Sequence, residues 1–278
     1  MRTLRRFVRI PLLFVHVVVG VVVILAATGW DRLRRRSLHQ GLARRMQVFW
    51  CWSICRLLGV RIHVHGVPAV DPPALFVSNH LSWLDILVIS TQWPVSFLSK
   101  SEVRAWPGIG AVATALGTLY IERGARNASG QANAVMAQRL SEGYRVIFFP
   151  EGTTSGGSEL LPFRPRLYQA ALDAGAPVQP LALCYLNRDG ALSDAAPFVN
   201  NDPLLRHVIR LAGEPRTDCR INVCSAIDVE GRRRSELSAL SRAAMANALG
   251  LQDAAGTGNG RASREARAEA PESATEAR

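Results

Sequence analysis

The first 60 residues contain almost no acid. Asp31 is their single carboxylate, against eleven arginines, so this segment carries a net charge of +10 and the remaining 218 residues carry only +1 of the total of +11. A nucleic-acid-binding segment would also be basic, but these arginines flank the most apolar run in the chain. We therefore predict that they contact anionic lipid headgroups rather than nucleic acid.

The chain also lacks paired cysteines, internal repeats and a nucleophile elbow. Its five cysteines are an odd number, form no CxxC pair and do not cluster with histidines. This pattern predicts reduced thiols, no metal site and no bound cofactor. No G-x-S-x-G sequence is present, so the sequence does not indicate an activated serine nucleophile.

An apolar run over residues 10–30 contains one ionisable side chain, His16, and is long enough to cross a bilayer. Four arginines precede it and four follow, so the charges do not orient a single span. Pro11 and Gly20 equally allow the segment to enter one leaflet and return. A cleaved signal peptide is a third interpretation, against which stand the length of the run and the sequence DRLRRR directly after it.

The chain divides into three parts by composition. Residues 1–60 are predicted to be membrane-anchoring helices, and the helix over 44–60 is amphipathic with tryptophans suited to an interface. Residues 61–250 alternate between strand-like and helix-like segments, which predicts an α/β domain with a mixed, largely parallel sheet flanked by helices. Residues 251–278 are small, polar and charged, which predicts a disordered tail.

Polar side chains follow three of the predicted strands directly. Ligands of open α/β sheets bind beyond the carboxyl ends of the strands, so these clusters are predicted to form one composite site. The three clusters are Asn79-His80 after ALFVS, Glu122-Arg123 after TLYI, and Glu151-Gly152 after RVIFFP.

His80 and Asp85 can act together only if the chain bends between them. A carboxylate on one ring nitrogen fixes the histidine tautomer and leaves the other nitrogen to take a proton. Alternatively, Asp85 caps the helix that it opens, a role compatible with the first. Ser82 is a nearby hydroxyl whose side chain need not face His80. The simpler scheme is a proton taken from a substrate hydroxyl, which then attacks an activated acyl carbon without a covalent enzyme intermediate.

The other two clusters suit an anionic or polar headgroup. The fork of Arg123 matches a phosphate or carboxylate, or else pairs with Glu122 at the surface. Glycines within 152–157 allow close backbone approach and an anion-binding nest, or form a simple loop. Arg164, at the start of the next predicted helix, adds a cation that either joins the site or is only solvated.

Together these motifs resemble the membrane glycerolipid acyltransferases, the group that includes bacterial 1-acylglycerol-3-phosphate acyltransferase. NHLSWLD is similar to that family's Asn-His-x4-Asp motif, GTLYIER to its second motif, FPEGTTS to its third and APVQPLAL to its fourth, across roughly residues 45–225. The resemblance implies that His80 is the general base and Asp85 its partner. It implies an acceptor site that draws on Asn79, Arg123, Glu151, Gly152, Thr153 and Arg164.

The same resemblance implies an O-acyltransferase at the inner membrane, with its catalytic domain facing the cytoplasm. The acyl donor would be a thioester of coenzyme A or acyl carrier protein, and the acceptor a membrane lysolipid, with 1-acyl-sn-glycerol-3-phosphate giving phosphatidic acid as the first expectation. Enzymes that make phosphatidic acid usually carry arginine where this chain has Thr154. Lyso-ornithine lipid acyltransferases resemble the chain there, so their aminolipid is the alternative acceptor. A hydrolase that uses water in place of the lipid hydroxyl, or a non-catalytic lipid-binding module, would also fit the sequence.

Overall fold

The computed structural model describes residues 1–37, 40–122, 127–199 and 202–251. These residues form eight α-helices: α1 (Arg2–Leu33), α2 (Leu42–Leu57), α3 (Leu84–Gln92), α4 (Ile109–Ala115), α5 (Ala128–Ser141), α6 (Gln169–Ala174), α7 (Leu204–Gly213) and α8 (Arg234–Leu249). They also form seven strands: β1 (Val60–His65), β2 (Ala74–Ser78), β3 (Ser96–Lys100), β4 (Leu119–Ile121), β5 (Arg145–Phe148), β6 (Val178–Leu186) and β7 (Thr217–Val223). Short 3-10 helices cover Ser101–Ala105 and Pro165–Tyr168. The predicted tail lies almost entirely outside the described residues.

The strands form one sheet in the order β1-β7-β6-β2-β5-β3-β4. Strands β2 to β6 run parallel, whereas β7 is antiparallel to β6 and parallel to β1, so these last two run the opposite way. This arrangement confirms the predicted mixed, largely parallel sheet flanked by helices. Strand β2 lies at the centre, and all five of its residues are buried because both faces of the sheet are covered there.

Alternate residues of each strand point to opposite faces of the sheet, and each face has its own apolar core. One face packs against α1–α4 and α7, which we call the hairpin face after α1 and α2, and its strand residues include Phe76 and Ile147. The other packs against α5, α6 and α8, which we call the α8 face, and its strand residues include Leu75 and Val146. The sheet therefore separates two chemically distinct sides of the molecule.

Helix α1 continues unbroken through Pro11 and Gly20, so the structure does not show the return inside residues 10–30 that the sequence left open. The chain reverses after α1 instead, and α2 packs back along it. Gly20 is needed at this contact, because a Cβ there would lie 1.9 Å from the Trp50 indole nitrogen. That indole donates to the carbonyl of His16 at 3.2 Å, which fixes the two helices side by side.

Asp31 joins the two helices at their other end. Its carboxylate oxygens accept from the amides of Leu42 at 2.9 Å and Ala43 at 2.7 Å. These amides open α2 and have no partner inside the helix, so the carboxylate caps it and also favours the positive end of its dipole. The one acid of the basic segment is thus a structural cap.

Arginines at the start of α1 bind the end of α7. Arg9 donates from Nη1 to the carbonyls of Ala212 at 3.2 Å and Glu214 at 2.6 Å, and Arg5 donates from Nε to that of Gly213 at 2.9 Å. The last carbonyls of a helix are unsatisfied and form the negative end of its dipole, so these arginines cap α7. For these two arginines the structure shows protein partners, and contact with lipid stays a prediction.

Two further arginines of this segment have protein partners. Arg2 pairs with the carboxylate of Glu214, and Arg44 is buried and donates to the carbonyl of Ser90 at 2.8 Å. The arginines at the other end of α1 are exposed, in contrast to Arg44: Arg32, Arg34, Arg35 and Arg36.

The outer face of α1 is apolar and exposed. Phe7 and Phe14 are 75% and 71% exposed, while Leu13 and Ile24 on the opposite face belong to the core of the hairpin face. Among the described residues, α1 is the one helix long and apolar enough to cross a membrane. It packs against α2, α4 and α7, so one side of the helix is embedded in the protein.

Candidate active site

The first and third polar clusters meet because their strands are neighbours. Val77 pairs with Phe148 at the ends of the parallel strands β2 and β5, so the loops that follow both strands leave the sheet side by side. The His80 amide donates to Glu151 Oε1 at 3.1 Å, and the Ser155 amide donates to the His80 carbonyl at 2.8 Å. The predicted composite site therefore exists for these two clusters.

The second cluster is further away in the sheet. Strand β4, which precedes it, is separated from β5 by β3. Arg123 itself lies outside the described residues, so its predicted role stays a prediction.

His80 and Asp85 are brought together by a tight turn before α3. His80 Nδ1 and Asp85 Oδ2 are 2.8 Å apart. The same carboxylate oxygen accepts from the amides of Leu81 at 2.7 Å and Ser82 at 2.9 Å, and the Tyr185 hydroxyl donates to Oδ1 at 2.8 Å. Within the described residues, the fully buried carboxylate therefore binds the turn before α3 instead of capping the amides of α3 itself.

This arrangement fixes the proton on the histidine ring. Three donors besides the ring hold Asp85 as an acceptor, so in the neutral ring the hydrogen is on His80 Nδ1 and the lone pair is on Nε2. Nε2 makes no hydrogen bond to any other described residue. The ring stacks on Phe149 with centroids 3.9 Å apart, and the side chain is 20% exposed. An imidazole held in this way, with one nitrogen open, is able to act as a general base.

Tyr185 is a site residue that the sequence analysis did not identify. Burial, together with the neighbouring Asp85 carboxylate, raises the pKa of its hydroxyl well above 10, so the group stays a donor at physiological pH. It lies on β6, one hundred residues from Asp85 in the chain. Only the pairing of β6 with β2 reveals the contact.

Asn79 does not point its amide at a substrate. Its Nδ2 donates to the Leu183 carbonyl at 2.9 Å and its Oδ1 accepts from the Leu183 amide at 2.8 Å. The side chain is buried and continues the hydrogen bonding between β2 and β6 by one step past the end of β2. The structure thus gives Asn79 the task of holding the loop 79–83, which contains His80, to the sheet, in place of the predicted headgroup contact.

Glu151 is a buried carboxylate directly beside the loop 79–83 that contains His80. Oε1 accepts from the His80 amide, and within the described part of the chain Oε2 makes no hydrogen bond. Burial raises the pKa of Glu151 to about 7, more than the amides of His80 and Leu161 and the Ser155 hydroxyl lower it. The site therefore contains a carboxyl group that titrates near neutral pH.

The loop after Glu151 forms the rim of the site. Gly152 adopts a left-handed φ of +72°, and a Cβ there would lie 3.2 Å from the guanidinium of Arg164. Arg164 is held by its amide, which donates to the Pro150 carbonyl at 3.0 Å. Arg164 and Thr153 are both exposed at this rim. Their side chains are thus free to meet a headgroup that approaches the loop.

Thr154 turns inward and ties three loops together. Its hydroxyl donates to the Phe198 carbonyl, and the Phe198 amide donates to the Leu81 carbonyl at 2.8 Å. The segment after β6 is in this way fastened to the loops that follow β2 and β5. The position where a phosphate-binding arginine is common therefore holds a neutral residue that is already engaged.

A buried histidine on α7, His207, supports the loop 79–83 and was not identified from the sequence either. The Trp83 indole donates to His207 Nδ1 at 3.0 Å, and His207 Nε2 lies 3.1 Å from the Pro197 carbonyl. Burial lowers the pKa of His207, so the ring stays neutral with its hydrogen on Nε2. The amphipathic sequence LLRHVIRLAG could have revealed α7, and with it a buried position for this histidine.

Comparisons with known proteins show which proteins this chain is similar to. Residues 61–184 match the family model described as Acyltransferase. The chain is 39% identical over 228 residues to the lyso-ornithine lipid O-acyltransferase of Pseudomonas aeruginosa, which covers 81% of this chain and 87% of that protein. It is 37% identical over 175 residues to the 1-acyl-sn-glycerol-3-phosphate acyltransferase of Neisseria meningitidis, covering 62% of this chain and 68% of that one.

Among solved structures, the fold is similar to the crystal structure of the 1-acyl-sn-glycerophosphate acyltransferase PlsC from Thermotoga maritima. The TM-score is 0.61 at 19% identity, and the match covers 91% of this chain and all of that one. At this identity the likeness supports the architecture of the sheet and its helices.

Proposed function

Because the chain belongs to the family of glycerolipid acyltransferases, which acylate lysolipids, we propose that His80 and Asp85 are its catalytic pair and that lyso-ornithine lipid is its acceptor. The observation that carries this proposal is the 2.8 Å contact between His80 Nδ1 and the buried Asp85 carboxylate. It leaves Nε2 as a base at the mouth of the sheet.

The proposed reaction needs no covalent enzyme intermediate. His80 Nε2 takes the proton of the lysolipid hydroxyl while that oxygen attacks the thioester carbonyl carbon. The tetrahedral intermediate then collapses, the carbon–sulfur bond breaks, and the imidazolium returns the proton to the leaving sulfur, which departs as a thiol. Asp85 stabilises the transient imidazolium because its carboxylate stays fixed by the turn and by Tyr185.

The acceptor is proposed from the third motif. A charge-assisted contact to a phosphate is worth about 1.5–3 kcal/mol, and Thr154 supplies no charge and is engaged with Phe198. The Pseudomonas aeruginosa relative, aligned over most of its length, is named for lyso-ornithine lipid. The Neisseria meningitidis relative is named for 1-acyl-sn-glycerol-3-phosphate, which is therefore the second candidate.

Headgroup contacts are proposed for the loop that follows β5. Gly152, Thr153 and Arg164 lie at its exposed rim, and Glu151 holds its base. Arg123 remains a predicted member of this set.

Membrane association is proposed through residues 1–60. The exposed apolar face of α1 and the exposed Phe49 and Trp52 of α2 would enter one leaflet of the inner membrane from the cytoplasmic side. Since α1 also packs on the sheet domain, the active site would be held close to the surface from which lysolipid arrives. The donor would be a thioester of coenzyme A or acyl carrier protein.

The test offers both acceptors side by side to membranes that contain the wild-type protein or one of two variants. Labelled acyl thioester is supplied with lyso-ornithine lipid or lysophosphatidic acid, and new lipid ester is measured. His80→Ala should lower the rate at least ~100-fold, the lower end of what a general base contributes. Gln92→Ala, at the exposed far end of α3, should leave the rate unchanged.

Each of the remaining outcomes refutes a separate part of the proposal. Esterification of lysophosphatidic acid alone would exclude the proposed acceptor but not the chemistry. Thioester loss without a new ester would indicate a hydrolase. Equal rates for wild type and His80→Ala would exclude the catalytic pair and favour a protein that only binds lipid.

A further inference from the structure

A groove of about 480 Å³ opens on the α8 face of the sheet, within the size range of small-molecule sites. Its floor is formed by β6 and β7, and one side is closed by the end of α8. The residues that matter for its chemistry are His65, Gly157, Cys184, Arg220, Asn222 and Leu249.

One end of this groove lies against the catalytic loop. A Cβ on Gly157 would lie 3.3 Å from the side chain of Leu81, the residue after His80. Two residues before Gly157, the Ser155 amide donates to the His80 carbonyl at 2.8 Å. The groove therefore begins where the loops of the first and third motifs touch.

The groove is on the opposite side of the sheet from α1 and α2. Leu183 and Tyr185 on β6 belong to the core of the hairpin face, so Cys184 between them points to the α8 face. On β7, Ile221 likewise faces α1 and α2, and Arg220 faces the groove. A lipid acceptor would arrive from the hairpin face, so a water-soluble donor would have this side free for its approach.

The groove contains a cation without a partner. The exposed guanidinium of Arg220 makes no hydrogen bond or ion pair within the described part of the chain. Asp218, the nearest acid on β7, is already bound to Arg216, with Nε–Oδ2 at 2.6 Å, and to His63, with Nε2–Oδ1 at 2.8 Å. Neighbouring Asn222 donates from Nδ2 to the Ala248 carbonyl at 3.3 Å, so its side chain offers the groove the oxygen Oδ1, and Leu249 with other apolar side chains closes the wall.

We propose that this groove binds the phosphopantetheine arm of the acyl donor, with Arg220 on its phosphate. The inference rests on the proposed acyl transfer and adds the site of the second substrate. A phosphate at one end, amide N–H groups in the middle and a methylene-rich stem match the Arg220 guanidinium, the Asn222 side-chain oxygen and the apolar wall in turn. Acyl-coenzyme A and acyl carrier protein share this arm, so the groove serves either source.

The experiment compares four acyl donors at saturating lysolipid: acyl-coenzyme A, acyl carrier protein, acyl-phosphopantetheine and acyl-pantetheine, which lacks the phosphate. Loss of one charge-assisted contact should raise the KM of Arg220→Ala about 10-fold for the three phosphorylated donors. The KM for acyl-pantetheine should not change, which also shows that the variant is folded. Arg220→Lys should recover part of the affinity.

Arg234→Ala is the matched control, since it removes an exposed arginine at the start of α8, the end of that helix away from the groove. It should behave as wild type with every donor. A defect confined to one phosphorylated donor would identify a contact outside the shared arm and overturn the proposal.

Two further results would overturn it while leaving acyl transfer established. One is an equal KM increase of Arg220→Ala for acyl-pantetheine; the other is a raised KM for lysolipid in place of the donor. If wild type transferred no acyl group from any donor, the proposed function would fail instead. Binding of labelled coenzyme A to His80→Ala, with and without Arg220→Ala, separates donor binding from turnover.

Discussion

Replacing Glu151 by glutamine should stabilise the protein at neutral and alkaline pH and have little effect at acid pH. Glutamine keeps an oxygen that accepts from the His80 amide, so the hydrogen bond at 3.1 Å is conserved. What changes is the charge. The wild-type carboxyl group must ionise in a buried position where Oε2 has no hydrogen-bond partner among the described residues.

The size of the effect follows from the pKa of Glu151, which burial raises from 4.5 to about 7. A difference of one pKa unit corresponds to about 1.4 kcal/mol. The free energy of unfolding therefore falls by roughly 3 kcal/mol when the Glu151 carboxyl is ionised in the folded state. For an acid with a raised pKa, the unfolded chain gives up its proton first. The loss of unfolding free energy therefore begins as the pH rises above 4.5 and is complete somewhat above pH 7. Below pH 4.5 there is no loss.

The assay is thermal unfolding in detergent between pH 4.5 and 8.5, followed by tryptophan fluorescence. The melting temperature of Glu151→Gln should equal that of wild type at pH 4.5 and exceed it at pH 8 by roughly 5–10 °C for a chain of this size. Glu159→Gln, at an exposed position of the same loop, should show no such divergence. A constant offset between Glu151→Gln and wild type across the pH range would refute the reasoning.

Two further variants test the supports of the active site. Asp85→Asn keeps the shape of the side chain but no longer holds the hydrogen on His80 Nδ1, so kcat should fall about 10³–10⁴-fold with the lysolipid KM nearly unchanged in steady-state assays of labelled ester. An unchanged kcat would show that the carboxylate does not orient the ring. His207→Phe leaves the partly buried Trp83 indole without its acceptor and should lower the free energy of unfolding by about 1–3 kcal/mol in chemical denaturation. Equal denaturation midpoints would exclude that hydrogen bond as a support.

Local features of the site could be predicted from the sequence. The bend that joins His80 to Asp85 depends on amides only three and four residues before the carboxylate, at Ser82 and Leu81. The adjacency of the first and third motifs also follows from two short buried strands with polar ends. Both inferences use contacts that are close in the chain or set by the general form of a parallel sheet.

Contacts between distant segments could not be predicted in this way. Tyr185 meets Asp85 only because β6 lies beside β2, and nothing in its own neighbourhood signals that contact. The charge pattern did not reveal the protein partners of the arginines for a related reason. An arginine near an apolar run can bind the carbonyls at a helix end as well as a lipid phosphate. For Arg5 and Arg9 the partner is the end of α7, a helix that was not predicted from the sequence.

The way α1 rests on the rest of the fold has a practical consequence for anyone who wishes to study the catalytic domain in water. A membrane tether joined by a linker can be removed without harm to the domain. Removal of α1, by contrast, would expose the core of the hairpin face where Ile24 packs, and it would leave the carbonyls at the end of α7 without donors. It would also remove the Asp31 carboxylate that caps α2. The shortened protein would be expected to aggregate. Solubility is better sought by replacing outward-facing residues such as Phe7 and Phe14 with polar ones while the inward face is kept.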